Sequence, residues 1–294
     1  MSILGATCSK NKSYTSIKEE ADKTNMVLLF IGKAIVLILA LTLGVQIMGK
    51  RIIIIPTYNE KENIEKIVRY VFSLPDAFDI LVIDDGSPDG TADIVKKLLP
   101  EFPSRLFLEQ RKGKLGLGTA YIHGFHWSIR NNYDYIFEMD ADFSHNPNDL
   151  IRLYNACELE GADMAVGSRY CNGVNVVNWP MSRILTSYYG SMYVRTILRT
   201  PVRDNTAGFV CYSRKVLETI NFEKIKHIGY GFQIEMKYVT WKLGFKIKEV
   251  PIVFTDRQEG TSKMSKGIFK EAIFGVIKLR MSTMFGGIKK YRRI

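Results

Sequence analysis

The chain has 294 residues and 46% hydrophobic content, enough for one large α/β domain with appendages. Its net charge of +11 sits at the ends: residues 257–294 carry ten Lys or Arg against two acids, residues 1–50 carry six Lys against three, and the rest sums to about zero. This excludes a basic nucleic-acid groove through the fold and places a partner at the basic ends. Cys8, Cys157, Cys171 and Cys211 form no Cys-x-x-Cys pair and do not cluster with the four histidines, so a reduced, cytosolic compartment is the simplest reading for the main domain.

A polar tail over 1–25 precedes a 23-residue apolar run over 26–48, broken only by Gly32, Lys33, Thr42, Gly44 and Gln46. The run is long enough to cross ~30 Å of hydrocarbon and longer than a signal-peptide core, which predicts a transmembrane anchor. Lysines on both sides leave its topology open.

Arg51 to Ile55 is a β-branched run closed by Pro56 and predicts a buried strand. Asn59-Glu60 open a helix with Ile64, Ile67, Val68 and Val71 at helical spacing, and Ile80 to Ile83 form the next strand. The unit is βαβ, so a mostly parallel sheet follows. Helices over 90–99 and 118–131 alternate with strands over 105–109 and 135–139. Ligands in such folds bind at the carboxyl ends of strands, where Pro56-Thr57-Tyr58, Asp84-Asp85 and Asp140-Ala141-Asp142 fall. Helices over 148–159, 183–198 and 231–243, strands near 163–167 and 209–212 and an extended 245–250 complete one domain. In the last segment Ile268, Phe269, Ala272, Ile273, Val276, Ile277 and Leu279 alternate with Lys266, Lys270, Lys278 and Arg280. This suits a core-packing helix or an interfacial one. The Lys289-Lys290-Tyr291-Arg292-Arg293 tail favours the membrane.

Carboxylates at i and i+2 on a strand end can both face one ligand, as a divalent metal carrying a diphosphate requires, or they can merely cap the next helix. Asp85 is the ligand contact in the Asp84 to Thr91 run, for a ribose hydroxyl or a base, while Asp89 or Thr91 can cap the next helix. The glycines between Gly113 and Gly118 lack the Gly-x-Gly-x-x-Gly order and do not follow the first strand, which excludes a dinucleotide fingerprint.

Taken in order, Pro56-Thr57-Tyr58-Asn59-Glu60, Asp84 to Thr91, Gly113 to Ala120, Asp140-Ala141-Asp142, Gly167-Ser168-Arg169-Tyr170, Asp204 to Phe209, Glu249-Val250-Pro251, Asp256-Arg257 and Ser262-Lys263 resemble the family 2 glycosyltransferases of the GT-A fold. Within them they are similar to the dolichol-phosphate (polyprenol-phosphate) mannosyltransferases. The resemblance implies a GT-A catalytic domain over 50–262, followed by a basic amphipathic membrane-interface segment over 263–294. It implies that Pro56, Tyr58, Glu60, Ile83 and Asp85 surround the nucleoside, and that Asp140, Ala141 and Asp142 handle the donor. A divalent cation, Mg2+ or Mn2+, would be held by Asp140, Asp142 and Ser144, the last standing where some members carry Gln. Arg169, Arg257 and Lys263 would bind phosphates, with Asp140, Asp142 and Arg169 catalytic and Arg183 and Ser187 near the lipid phosphate.

The implied reaction moves mannose from GDP-mannose to dolichyl or polyprenyl phosphate with inversion, on a membrane-associated enzyme whose catalytic domain faces the cytoplasm, with or without small membrane subunits. The acceptor phosphate, with a second pKa of ~6, is already anionic at neutral pH, so no strong general base is required and His145 is a minor candidate. The alternatives are transfer of glucose or N-acetylhexosamine from a UDP-sugar, and a non-catalytic membrane-tethered scaffold.

Overall fold

The computed structural model describes residues 49–256 and 266–293. The run over 26–48, and with it the expected transmembrane anchor, lies outside the described residues, as do Arg257 and Lys263. Among the described residues no helix is long and apolar enough to cross a membrane.

Seven strands form the central sheet: β1 (Arg51–Thr57), β2 (Asp79–Asp84), β3 (Leu106–Gln110), β4 (Tyr135–Glu138), β5 (Met164–Ser168), β7 (Val210–Ser213) and β8 (Ile247–Pro251), in the order β3-β2-β1-β4-β7-β5-β8. The central strand β1 explains the two-layered core. Ile52 and Ile54 point into one buried cluster and Ile53 and Ile55 into the other, as the two-residue side-chain period demands. Helix α1 (Ile64–Phe72), α2 (Thr91–Leu98) and α4 (Asp149–Glu158) supply apolar residues to the second cluster. The first is built from α3 (Leu117–Arg130), α5 (Met181–Leu198), α6 (Arg214–Thr219) and α7 (Tyr230–Lys242).

The sheet is parallel except at β7, which runs antiparallel to both β4 and β5. Val210, the first residue of β7, pairs with Glu138, the last of β4. The chain therefore enters β7 at the carboxyl end of β4, and residues 204–208 are delivered beside Asp140.

A second, two-stranded sheet pairs β6 (Val176–Val177) with β9 (Phe254–Thr255) at the same end. The expected helix opening at Asn59-Glu60 instead begins at Ile64. Asn59 adopts a left-handed φ of 57°, and the stretch after it hydrogen-bonds across to the β2–α2 loop: Asn59 N to Ser87 Oγ, Glu60 N to Thr91 Oγ1 and Lys61 N to Asp89 Oδ2.

The C-terminal helix α8 (Lys266–Thr283) packs against α5 and α7 and buries Val276 and Leu279. Its outer face exposes Phe274 (72%) and Met281 (68%). The core-packing reading of this helix therefore holds for the face that carries Val276 and Leu279. A 3-10 segment, Met284–Tyr291, follows, and the tail pairs with the end of α6 through Asn221 N to Tyr291 O (2.8 Å) and Arg293 N to Thr219 O (2.7 Å).

Candidate functional site

At the end of β2, adjacent carboxylates have separate tasks. Asp84 is fully buried and accepts hydrogen bonds from Thr57 Oγ1 (3.0 Å), Ser87 N (2.9 Å) and Ser87 Oγ (2.6 Å), so it fixes the turn. Asp89 stands just before α2, whose N-cap is Gly90, and accepts from Thr91 N and Oγ1. Burial opposes its ionisation, but those bonds and one from Lys61 N prevail and lower its pKa. Asp85 faces the cavity while its two oxygens accept from Arg111 Nε (2.6 Å) and Nη2 (2.8 Å). This fork leaves the carboxylate aimed into the cavity as an acceptor.

At the end of β4, Asp140, Ala141, Asp142 and Ser144 line the same cavity. Asp142 is only 7% exposed, not at an open strand end, and its Oδ1 accepts from Ser144 N at 3.1 Å. The Ser144 hydroxyl is buried and has no hydrogen-bond partner. An orphaned buried hydroxyl beside two carboxylates is a suitable oxygen donor set for a hard divalent cation, so the residues fit the group the sequence implies. Among the described residues no cluster of three His, Cys, Asp or Glu offers an alternative metal site.

His145 stacks on Phe209 at 4.8 Å and accepts from Asp140 N at Nδ1 (3.3 Å), so the ring is the neutral tautomer. Burial pushes its pKa down to about 4, against the pull of Asp142. Because the folded value lies below the ordinary 6.5, the folded state resists a proton that the unfolded chain accepts. In metal-free buffer, stability should therefore be full above pH 6.5 and fall by up to about 3 kcal/mol towards pH 4. Urea unfolding of wild type and His145→Gln at pH 7 and 5 checks this: an equal drop in both would show that another group carries it.

Arg169, at the end of β5, donates from Nε and Nη2 to the two oxygens of Asp204 (2.7 Å each), from its backbone N to Asp204 (3.0 Å), and from Nη2 to Thr206 Oγ1 (2.8 Å). Burial opposes the Asp204 charge, yet the guanidinium keeps its carboxyl below the usual range. Behind this pair, Lys237 on α7 is wholly buried and donates to Ala207 O (2.6 Å) and Gln233 Oε1 (3.1 Å), while Gln233 Nε2 donates to Glu138 Oε2 (2.7 Å). Burial drives the Glu138 pKa up and that of Lys237 down, each against the attraction of the other's charge. The network ties the 204–208 loop to β4 directly behind Asp140.

Asp85, Asp140, Asp142, Ser144, His145, Arg169 and Gln233 line one cavity of about 1370 Å³, and Arg111, Glu138, Asp204 and Lys237 support it from behind. It is larger than a single drug-sized ligand needs, and large enough for two substrates. One part of it is lined by Pro56, Tyr58, Glu60, Asp85 and Lys114, with Lys114 Nζ 5.1 Å from the Tyr58 ring centre. Past the Asp140–Asp142 corner it continues as an arm along α5 lined by Leu185, Ser187, Tyr189, Tyr193 and Val194. There Arg183 lies 4.0 Å over the Trp179 ring and donates to Asp256 Oδ1 (2.9 Å), and Ser187 Oγ accepts from Tyr170 OH (2.7 Å).

Of the sequence-predicted site residues within the described chain, Ile83 alone does not reach the cavity. Its side chain, at 0% exposure, packs in the core beneath the sheet. Arg111, Lys114, Trp179 and Gln233 belong to the site's walls or supports but were not singled out. Arg111 lies one residue before Lys112-Gly113, and its proximity to the glycine run was the available signal.

A mostly parallel α/β sheet with paired carboxylates and an orphaned hydroxyl at one strand end, beside a bidentate-held aspartate at another, is a GT-A-like nucleotide-binding architecture. The chain belongs to glycosyl transferase family 2, whose family model matches residues 52–220. It is 44% identical over 227 residues to a polyprenol monophosphomannose synthase of Mycolicibacterium smegmatis, covering 77% of this chain and 85% of that protein. It is 42% identical over 236 residues to an undecaprenyl-phosphate mannosyltransferase of Micrococcus luteus, covering 80% and 96%. Crystal structures of glucosyl-3-phosphoglycerate synthase from Mycobacterium tuberculosis share the fold. One, with phosphoglyceric acid, has a TM-score of 0.59 at 17% identity, and another, with Mn2+, UDP and glucosyl-3-phosphoglycerate, has 0.58 at 18%. Each covers 81% of this chain and 82% of the other.

Proposed function

We propose that this protein transfers mannose from GDP-mannose to the phosphate of a polyprenyl lipid at a membrane surface. The carrying observation is the single cavity that joins a polar, carboxylate-lined nucleotide end to an apolar arm with an arginine at its side. The names of the two bacterial relatives support mannose as the sugar and a polyprenyl phosphate as the acceptor.

In this reading an acceptor phosphate oxygen attacks the anomeric carbon, the bond from that carbon to the diphosphate breaks, and GDP leaves. Asp140, Asp142 and Ser144 would hold a divalent cation, which would supply charge neutralisation for the departing diphosphate. Asp85, fixed by Arg111, accepts from the nucleoside, and Lys114 adds positive charge beside Tyr58. Arg169 faces the donor, and Arg183 and Ser187 orient the acceptor phosphate in the arm. His145 holds the Asp140 backbone and takes no proton, consistent with an acceptor that arrives ionised.

The arm opens where an apolar face meets solvent. Met181, Leu185, Tyr188 and Met192 recur at helical spacing on α5, and Phe274, Ile277, Met281 and Met284 do so along α8 and just beyond it, all exposed. Two packed helices presenting such rows, with Lys278, Lys289, Arg292 and Arg293 exposed nearby, form a surface for anionic lipid. The anchor over 26–48 and the cytoplasmic orientation belong to the same proposal.

Purified protein with Mn2+ and anionic vesicles containing polyprenyl phosphate provides the test. It should float with the vesicles, be released by high salt when residues 1–48 are removed, and transfer sugar from GDP-mannose but not from UDP-glucose or UDP-N-acetylglucosamine. Turnover of a UDP-sugar alone would reassign the donor, and binding without any turnover would leave a scaffold.

A further inference from the structure

Residues 226–229 have no helix or strand, yet Ile228 and Gly229 line the cavity beside Gly116 and Leu117. Ile228 O accepts from Gly118 N at 2.8 Å, which satisfies one of the unpaired amides at the start of α3 and joins this loop to the glycine-rich one. The other side of the loop is held from α7. Glu235, 1% exposed, accepts at Oε2 from Lys226 N (2.9 Å), His227 N (3.0 Å) and His227 Nδ1 (2.8 Å), and at Oε1 from Tyr291 OH (2.9 Å).

Tyr291 belongs to the last turn of the chain, and its backbone is tied to α6 as described above. A second contact is independent of it. The His227 ring lies between two glycines on different helices: a Cβ on Gly231 of α7 would come within 2.8 Å of Cδ2, and one on Gly275 of α8 within 2.7 Å of Nε2. Two separate parts of the C-terminal segment thus converge on one loop of the cavity.

We propose that the C-terminal segment is a positioning clasp, in which Tyr291 through Glu235, and Gly275 through His227, hold the 226–229 loop at the width the nucleotide requires. Glu235 is suited to this role. Burial opposes its charge, but the bonds from His227 and Lys226 hold its carboxyl below the usual range, so it is an ionised hub whose every donor matters. Tyr291→Phe removes one donor without altering shape. Gly275→Ala, which in a helix interior ordinarily stabilises, here pushes the ring and the loop aside. Because the same segment carries the exposed Phe274 and Met281, seating on lipid and shaping of the donor end act on one element.

The donor identity used in the test rests on the proposed function, but the clasp does not. Amide hydrogen exchange at residues 226–229 and Gly118 is measured first, in wild type, Tyr291→Phe and Gly275→Ala without nucleotide. Affinities for GDP and for UDP with Mn2+, and KM and kcat for the donor, follow. Both variants should exchange faster at these amides and bind nucleotide about tenfold more weakly, because a smaller fraction of molecules is competent. The KM should rise with kcat within about twofold, whereas a merely structural role would lower the melting temperature and leave KM alone. Wild-type exchange rates in both variants, or faster exchange with unchanged affinity, would overturn the clasp. Wild-type preference for UDP over GDP would instead sink the donor assignment, and the clasp would then be judged on UDP.

Discussion

Asp142→Asn is expected to lower manganese-dependent transfer by about 10³ while leaving the melting temperature within a few degrees of wild type. The physical case rests on what asparagine keeps and what it loses. Asp142 is almost buried and its Oδ1 accepts from Ser144 N at 3.1 Å, so alanine would both delete a carboxylate and orphan an amide. Asparagine retains the volume and an oxygen for Ser144 N. It loses the negative charge that a divalent cation requires, and with it the neutralisation of the leaving diphosphate. Initial rates across a Mn2+ titration, with a thermal melt alongside, decide the matter. An asparagine variant that reaches the wild-type rate at saturating Mn2+ would remove Asp142 from the proposed cation site. A large fall in melting temperature would mean that its charge serves the fold.

The residues that made this site legible in the sequence are those whose chemistry is local. Four isoleucines before a proline announce β1, although the strand runs on through Pro56 to Thr57, and Asp140-Ala141-Asp142 directly after an apolar strand announces a strand-end acid pair. What was hidden depends on partners distant in the chain. Asp85 meets Arg111 across 26 residues, Arg169 meets Asp204 across 35, and Gln233 meets Glu138 across 95. No local pattern encodes such pairs. The reversed direction of β7 was hidden for a related reason: side-chain alternation reads the same in either direction, so only the pairing of Val210 with Glu138 reveals it. Ile83 shows the converse limit. It lies two residues before Asp85 in sequence, but it sits inside β2 and packs in the core, whereas Asp85 lies just past the strand's end.

Arg169→Ala should destabilise the protein by about 3–5 kcal/mol and lower its melting temperature by about 10 °C, in addition to abolishing transfer. The guanidinium and Asp204 are both buried, and the pair is held at 2.7 Å through a fork. Removing the arginine alone leaves an uncompensated carboxylate at 0% exposure, where hydration cannot replace the lost bonds. The structural and chemical roles can be separated because the cost lies in the orphaned charge. The double variant Arg169→Met, Asp204→Asn removes both charges at similar volume and keeps a side-chain oxygen for the backbone N at position 169, so it should recover most of the stability. It should not recover transfer, which would stay at least about 10²-fold down if the guanidinium also stabilises charge on the donor. Stability and donor turnover of Arg169→Ala, Asp204→Asn and the double variant therefore give two readings from one set of proteins. A double variant that regains both stability and turnover would make Arg169 a strut for the 204–208 loop and remove it from the catalytic set. One that regains stability alone would place its guanidinium at the reacting diphosphate.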